Sequence, residues 1–268
     1  MTEEHTASPS SVSALSSSRH ASGGCSVVVG GSTGIGRALV YQLAARGDAV
    51  LAVARGSRDL EAVREDCLLR FGGSVHCLAL DVAALDFDAR AFVDRSVREL
   101  GRVSHVFLPI GEVDARDVGP PPAEVIESLS VVNYLRPAQL LSTFCDYFSS
   151  IGEGSIMAFT TIAAAAPRGK NAAYAAAKKA LEFYCRALQH HFDGSRIRIQ
   201  ICAPGYVDTG MSFGLKLRLP VSSPEEIARF AINMTGQATR FSYCPRFWFW
   251  VTMLLKLLPW AIFKRLRF

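Results

Sequence analysis

The sequence predicts an α/β protein: a single domain with a doubly wound, mainly parallel sheet of about seven strands and helices on both faces. Short apolar, β-branched segments such as CSVVVG (25–30) alternate with longer segments of helical periodicity. The 268 residues are enough for one large domain with a substantial core. No internal repeat or linker interrupts the alternation. Strands that alternate with helices imply a parallel sheet covered on both faces.

The individual elements follow from the same patterns. Strands are predicted at residues 25–30, 48–55, 75–82, 103–111, 154–161 and 196–205. Helices are predicted at 35–47, 59–73, 90–101, 123–148, 172–192 and 223–236. Gly47 marks the end of the first helix, and Pro224 lies at the first position of the last one. The segment 123–148 is one long helix or two abutting helices, with Pro137 at a kink or junction.

Composition argues against nucleic-acid, metal and disulfide chemistry. Half of the residues are apolar and a fifth are charged, as in an ordinary globular protein. The net charge of +5 is modest, and five basic residues without any acid lie in 246–268, so a domain-wide nucleic-acid surface is not expected. The seven cysteines are scattered without a C-x-x-C pair. They predict neither a metal site nor a disulfide framework, and they favour a reducing cytoplasm.

Three regions are expected along the chain. Residues 1–23 are serine-rich without an apolar segment, which predicts disorder and not a secretory signal. Residues 24–245 form the folded domain. In the apolar and basic tail, 246–268, Lys256 and Pro259 interrupt a segment too short for a transmembrane helix. A tail helix lying on the inner membrane surface is one interpretation, and packing on the core or on a partner subunit is the other.

A glycine-rich turn joins the first strand to the first helix. Gly30, Gly34 and Gly36 occur in VVVGGSTGIGRALV. Glycines at this position allow a tight turn and a close approach of backbone to a pyrophosphate, which then binds at the helix N-terminus. A structural turn without a ligand is the alternative.

The spacing G-x-x-x-G-x-G resembles the short-chain dehydrogenase/reductase family, whose usual form is T-G-x-x-x-G-x-G. Val29 stands where the family has threonine. The resemblance implies a Rossmann-type fold and a catalytic domain over 24–245. It also implies cofactor contacts from Gly30, Ser32, Thr33, Gly34 and Ile35.

The residue at the end of the second strand indicates which dinucleotide is bound. An acid there would accept a hydrogen bond from a ribose 2′-hydroxyl and repel a 2′-phosphate. This chain has Arg55 at that position and Arg58 close behind. A guanidinium suits a phosphate, and by resemblance Arg55 lies where the 2′-phosphate of NADP(H) is held. A solvated surface arginine is the alternative.

Two further segments differ in how well they match the family. Asp81 and Val82 end the third strand, where the resemblance places the adenine. A helix-capping role for Asp81 is the alternative. After the fourth strand, LPIG (108–111) replaces the family's N-N-A-G and keeps only Gly111, a cofactor contact by resemblance. The missing asparagines imply that this part of the site is built differently.

Tyr174 and Lys178 are spaced i, i+4, so on a helix they share one face. A nearby ammonium is expected to lower the pKa of the phenol, which could then exchange a proton with a carbonyl oxygen. The order of these segments matches the family over residues 25–240. The resemblance implies that Tyr174 is the general acid/base, that Lys178 binds the nicotinamide ribose, and that Asn133 holds a water of the proton relay.

The family's catalytic serine lies thirteen positions before the tyrosine, which is Thr161 in this chain. Threonine keeps a hydroxyl donor but adds a methyl group and a stiffer χ1. Thr160 is the competing candidate. Because a strand alternates its faces, the two should not both face the substrate, and Thr161 is preferred.

The segment CAPGYVDTGM matches the family's P-G-x-V-x-T. The resemblance implies that its cofactor contacts come from Pro204, Gly205, Val207 and Thr209. The backbone after Gly205 would contact the nicotinamide carboxamide, and Thr209 would reach the carboxamide or the pyrophosphate, a placement that implies pro-S hydride transfer. Residues 211–222 would cover the substrate. These residues and Arg136 suit a lipid-like or an anionic ketone.

The resemblance implies an NADPH-dependent carbonyl reductase, or the reverse alcohol dehydrogenase, that acts on a small molecule, lipid-like or 3-keto acyl. A homo-oligomer, dimer or tetramer, is expected. A reductase of a sugar or polysaccharide precursor is one alternative. A nucleotide-binding regulator or scaffold with weakened catalysis is another, since threonine replaces serine and N-N-A-G is missing.

Overall fold

The structure, a computed structural model, describes residues 24–211, 220–238 and 240–265. The predicted disordered segment 1–23 and most of the predicted substrate segment lie outside the described residues. Among the helices that are described, none combines the length and the apolarity needed to cross a bilayer.

Seven parallel strands form the central sheet. They are β1 (Cys25–Val29), β2 (Ala49–Ala54), β3 (Val75–Ala79), β4 (His105–Leu108), β5 (Gly154–Phe159), β6 (Ile197–Pro204) and β9 (Phe241–Cys244). Their order across the sheet is β3-β2-β1-β4-β5-β6-β9. A separate parallel pair joins β7 (Tyr206–Val207) to β8 (Val221–Ser222). The doubly wound parallel fold is confirmed, and β9 is the strand that the sequence patterns did not locate.

Helices cover both faces of this sheet. They are α1 (Gly34–Ala45), α2 (Ser57–Phe71), α3 (Ala89–Leu100), α4 (Ala123–Ser130), α5 (Arg136–Ile151), α6 (Ala172–His191), α7 (Pro224–Thr235), α8 (Trp248–Leu257) and α9 (Trp260–Phe263). One buried core joins the sheet to α3, α5 and α6. A second core joins the opposite face to α1, α2 and α7.

A single π-helical turn, Val131–Leu135, connects α4 to α5. The backbone N–H of Arg136 donates to the carbonyl of Val131, five residues earlier. Pro137 follows at the start of α5, and because it has no N–H to donate, it lies where the hydrogen-bonding pattern of the helix changes. The predicted junction is therefore present, and Asn133 lies in the middle of the π turn, a geometry that is frequent at functional sites.

Candidate active site

A cleft of about 700 Å³ runs along the carboxyl edge of the sheet. It includes the ends of β1 and β4, the neighbouring strands between which the strand order reverses, the usual ligand position in such folds. Apart from Asn133, all of the residues that the resemblance nominated for catalysis or cofactor binding line the cleft: Gly30, Ser32, Thr33, Gly34, Ile35, Arg55, Asp81, Val82, Gly111, Thr161, Tyr174, Lys178, Pro204, Gly205, Val207 and Thr209.

The glycine turn brings the end of β1 directly under the first turn of α1. Gly30 and Gly34 have φ values of 98° and 51°, a region that side-chain-bearing residues rarely adopt. A Cβ on Gly36 would lie 1.8 Å from the carbonyl oxygen of Gly30. The helix has no side-chain cap and no acid in its first turn. No side chain of the first turn therefore neutralises the positive end of the α1 dipole, which faces the cleft. A negatively charged pyrophosphate of a dinucleotide fits this position.

The residues after β2 and β3 form the end of the cleft nominated for the adenosine. Arg55 follows β2 and is exposed in the cleft. Asp81 accepts a hydrogen bond from the N–H of Ala83 at 2.9 Å and forms a local turn. The helix-capping alternative for Asp81 is wrong, because α3 begins later and is capped by Asp88. Val82 is buried beside Asp81.

Asn133 lies behind the cleft and holds the chain segment that follows β4. Its Nδ2 donates to the carbonyls of Glu112 and Leu129, both at 2.9 Å, and its Oδ1 accepts from the N–H of Glu112 at 3.0 Å. A Cβ on Gly111 would lie 3.4 Å from both Asn133 Oδ1 and Lys178 Nζ. Asn133 therefore fixes the backbone in the region where the family's usual asparagines are missing.

Lys178 forms hydrogen bonds at the carboxyl ends of β4 and β5. Its Nζ donates to the carbonyl of Ile110 at 2.6 Å and to that of Phe159 at 3.1 Å. The side chain is almost fully buried, and burial lowers the pKa of the amine to about 7.

Tyr174 is also buried, and burial raises the pKa of its phenol. An interaction with the Thr161 hydroxyl and the charge of Arg168 oppose this rise. The expectation that Lys178 lowers the pKa of the phenol is wrong. The lysine amine is directed to two carbonyls, and burial favours its own neutral form.

The backbone of Tyr174 is held by a residue that the sequence reading missed. Asp117 is buried, and its carboxylate accepts from the N–H groups of Ala173 and Tyr174 at 3.1 and 2.9 Å. Its carbonyl accepts from the N–H of Asn171 at 2.7 Å. The first turn of α6 is thus capped from a distant loop. No local pattern could have revealed this partner, because it lies 57 residues before Tyr174.

The structure distinguishes the two neighbouring threonines. The Oγ1 of Thr161 accepts from the N–H of Ala163 at 3.1 Å, which leaves its hydroxyl hydrogen to donate elsewhere. The interaction of its hydroxyl with the phenol of Tyr174 lowers the pKa of that phenol. Thr160 is buried, and its Oγ1 has no hydrogen-bond partner in the described residues. Thr161 is therefore the hydroxyl placed beside the phenol.

Arg168 lines the cleft, and Arg136, the arginine that the sequence suggested for the substrate, does not. Arg136 does not line the cleft, so its expected role at the substrate is wrong. It donates to the carbonyl of Ala84 and to Gln139, and it lies over the ring of Phe87 at 5.5 Å. Arg168, which the sequence reading passed over, lines the cleft. Its only signal in the sequence was a basic side chain in the loop between β5 and α6, the helix that carries Tyr174.

The first helix of the tail packs directly under the cleft. A Cβ on Gly205 would lie 2.0 Å from the Nε1 atom of Trp248, which is almost fully buried. The Trp248 ring packs edge-on against Tyr206, a cleft residue, with 5.8 Å between the ring centroids. On the other side, a Cβ on Gly34 would lie 3.2 Å from Cγ2 of Thr209. The P-G-x-V-x-T segment therefore lies between the glycine turn and the tail.

The chain belongs to the short-chain dehydrogenase family, because the sequence model described as short chain dehydrogenase matches residues 25–217. It is therefore an NAD(P)-dependent oxidoreductase. A hydroxysteroid 11-beta-dehydrogenase 1-like protein B of Xenopus laevis is 26% identical over 213 residues, which cover 77% of this chain and 72% of the relative. A cis-4-hydroxycyclohexanecarboxylate dehydrogenase of Sinomonas cyclohexanicum is 28% identical over 236 residues, 80% and 90% of the two chains.

Solved structures share the fold. A short-chain dehydrogenase from Sphingobium yanoikuyae, in complex with NADPH, superposes with a TM-score of 0.75 at 23% identity. The superposition covers 91% of this chain and 96% of that one. In the part of the chain that the structure describes, no group of three or more His, Cys, Asp or Glu residues could hold a metal ion.

Proposed function

We propose that the protein interconverts a ketone and a secondary alcohol with NADP(H). The observation that carries this proposal is the presence, in one cleft, of the pyrophosphate-type glycine turn together with Tyr174, Lys178 and Thr161. When bound, the nicotinamide supplies the hydride that reaches the carbonyl carbon. The residues of this chain orient the substrate and transfer the proton.

In the direction of reduction, Tyr174 donates its phenolic proton to the carbonyl oxygen as negative charge develops there. Because burial raises the pKa of this phenol, it is protonated at neutral pH and can act as an acid. The Thr161 hydroxyl donates a second hydrogen bond to the same oxygen. Lys178 binds the nicotinamide ribose, and Asn133 positions the backbone behind it and holds a water of the relay.

Turnover of NADPH with a panel of ketones tests this proposal. Tyr174→Phe should abolish turnover but keep NADPH binding. Thr161→Val should lower kcat by about 10²-fold, as loss of one oxyanion donor does, whereas Thr161→Ser should stay close to wild type. Thr160→Val is the matched control, because its hydroxyl has no partner to lose. Turnover that survives Tyr174→Phe, or that is lost in Thr160→Val and kept in Thr161→Val, would contradict these roles.

NADP(H) is proposed over NAD(H) because Arg55, and no acid, lies at the end of β2 in the cleft. The NADPH complex of the Sphingobium relative agrees with this choice. Asp81 and Val82 would contact the adenine. Fluorescence titration should show that Arg55→Met loses at least about tenfold in affinity for NADPH and much less for NADH. Arg58→Met, on a neighbouring arginine outside the cleft lining, is the control. Equal affinity of the wild type for both dinucleotides would contradict the preference.

The names of two relatives favour a hydroxyl or ketone on an alicyclic ring, since they refer to a hydroxysteroid and a hydroxycyclohexanecarboxylate. A lipid-like cyclic ketone is therefore our first candidate substrate, with 3-keto acyl thioesters next and keto sugars as the alternative. The ketone panel should contain one of each. A regulator or scaffold with weakened catalysis would bind NADPH and turn over none of them.

We also propose that α8 contacts an anionic membrane surface. Its inner face is buried through Trp248 and Thr252, while large apolar side chains stand exposed on the outer face. The exposed set is Phe249, Trp250, Met253, Leu254 and Leu257. The same tail segment carries four exposed cations, Arg246, Lys256, Lys264 and Arg265, and the sequence of 246–268 contains no acid. Apolar area flanked by cations is typical of helices that lie in the headgroup region of anionic bilayers. We therefore propose a cytoplasmic location with peripheral binding at the inner membrane surface.

Vesicle flotation tests the membrane proposal without removing the buried Trp248. The triple variant Trp250→Ser/Leu254→Ser/Leu257→Ser should lose binding to vesicles that contain phosphatidylserine. The control Leu68→Ser/Leu69→Ser removes an exposed apolar pair from α2 and should still float. If the wild type does not bind, α8 packs on a partner subunit instead. Light scattering should then show that the triple variant dissociates the dimer or tetramer that we expect.

A further inference from the structure

Arg168 is a cation with unsatisfied donors at the substrate end of the cleft. It lies in the loop between β5 and α6 and lines the cleft. Its Nε atom is shielded from solvent and has no hydrogen-bond partner in the described residues. No carboxylate of the described residues forms an ion pair with it. A buried donor without a hydrogen-bond partner is destabilising, so an acceptor on the ligand would remove this cost.

Arg168 lines the same cleft as Tyr174, the proposed proton donor. The positive charge of Arg168 lowers the pKa of the Tyr174 phenol, so the guanidinium lies within electrostatic reach of the proton donor. Lys178 cannot serve the substrate in the same way, because its amine is directed to the carbonyls of Ile110 and Phe159. Arg168 is therefore the cation of this end of the cleft that is available to a ligand.

The acids that line the cleft do not neutralise Arg168. Asp59 and Asp81 follow β2 and β3, at the end assigned to the adenosine. Glu112 also lines the cleft, but its side chain is exposed and forms no ion pair with Arg168 among the described residues. Among the described residues, no carboxylate therefore neutralises Arg168 within the cleft.

We infer that Arg168 binds a carboxylate on the substrate, so that the enzyme prefers keto acids over neutral ketones of the same skeleton. A guanidinium presents parallel N–H donors that match the two oxygens of a carboxylate. The inference rests on the proposed function, since it assigns the substrate class of the same cleft. It adds an anion-recognition residue that is separate from the proton donor.

A matched pair of probes tests this inference: 4-oxocyclohexanecarboxylate and its methyl ester, which differ in charge but not in the reacting ketone. The wild type should favour the acid in kcat/KM. In Arg168→Met the ratio of acid to ester should fall about 10- to 100-fold, the usual effect of losing a charged hydrogen bond. Arg168→Lys should restore part of the ratio. Lys170→Met removes an exposed cation from the same loop, outside the cleft lining, and should leave the ratio unchanged.

Three outcomes would overturn the inference: a wild type that does not favour the acid, a ratio that Arg168→Met leaves unchanged, or an equal fall in Lys170→Met. If Arg168 acts only through the phenol of Tyr174, acid and ester slow in parallel and the ratio stays constant. Calorimetric binding of the acid, with NADPH present and absent, gives a readout that does not need turnover. Weaker binding in Arg168→Met than in Lys170→Met would sustain the inference even if the proposed reaction failed.

Discussion

Lys178 illustrates at the residue scale how a functional group conflicts with stability. Its amine is almost fully buried, and its pKa is lowered to about 7. The pKa of a lysine in an unfolded chain is about 10.4. Between these two values the unfolded state binds a proton that the native state does not bind. The free energy of unfolding therefore rises with pH in this window, and below pH 7 the buried charge lowers stability.

Lys178→Met removes this pH dependence. Without cofactor, the free energy of unfolding of the wild type minus that of the variant should rise by about 2–3 kcal/mol from about pH 6 to about pH 9. Denaturant titrations at both pH values measure this change. Lys179→Met, on the exposed lysine beside it, is the control and should show no such change. A pH-independent difference for Lys178→Met would mean that the amine titrates as in the unfolded chain.

At the scale of elements, the cofactor site depends on how closely α1 approaches the end of β1. The contact leaves no room for a side chain at Gly36, because a Cβ would lie 1.8 Å from the carbonyl oxygen of Gly30. The oxygen belongs to the backbone, so relief requires that helix and strand move apart. The N–H groups at the start of α1 would then leave the position at which they face the cleft.

Gly36→Ala should therefore lower the affinity for NADPH by at least about tenfold and also lower Tm. Fluorescence titration and thermal unfolding measure the two effects. Gly236→Ala, at the end of α7, is the matched control. A Cβ there meets no atom within 4 Å, and its φ of −82° is accessible to alanine. Wild-type affinity in Gly36→Ala would show that the turn does not hold the pyrophosphate.

At the scale of the whole molecule, the tail packs against the segment that lines the candidate cofactor cleft. Trp248 of α8 fills the space next to Gly205, in the segment between β6 and β7. It also packs with Ala203 and Tyr243, so α8 is joined to β6 and β9. Removal of the tail should consequently disturb the cleft as well as any membrane contact.

Trp248→Ala and Trp250→Ala test this coupling with the same substitution on one helix. Trp248 is 2% exposed, so its loss leaves a cavity and should cost about 3–5 kcal/mol of stability. It should also weaken NADPH binding through the segment at Gly205. Trp250 is 67% exposed, and its replacement should change neither Tm nor NADPH affinity appreciably. Equal effects of the two variants would show that the tail is not coupled to the cleft.

Local sequence patterns predicted several features of the site. The glycine spacing, the Tyr174–Lys178 pair and the thirteen-residue count back to Thr161 nominate residues that do line one cleft. Local sequence failed where the partner is distant. Asp117 caps α6 from 57 residues away, and FSYC (241–244) becomes β9 only because β6 presents an open edge. A four-residue segment has too little periodicity to be distinguished from a loop.

The sequence by itself determined the order of the first six strands and of the helices between them, and the residue types at the cofactor turn. Hydrophobic periodicity and the steric demands of glycine are local properties that a sequence displays directly. Only the tertiary structure decided that Arg168 and not Arg136 lines the cleft, that Lys178 does not lower the pKa of Tyr174, and that Trp248 packs under Gly205. These outcomes depend on burial and on contacts between distant segments, which determine charge states and orientations.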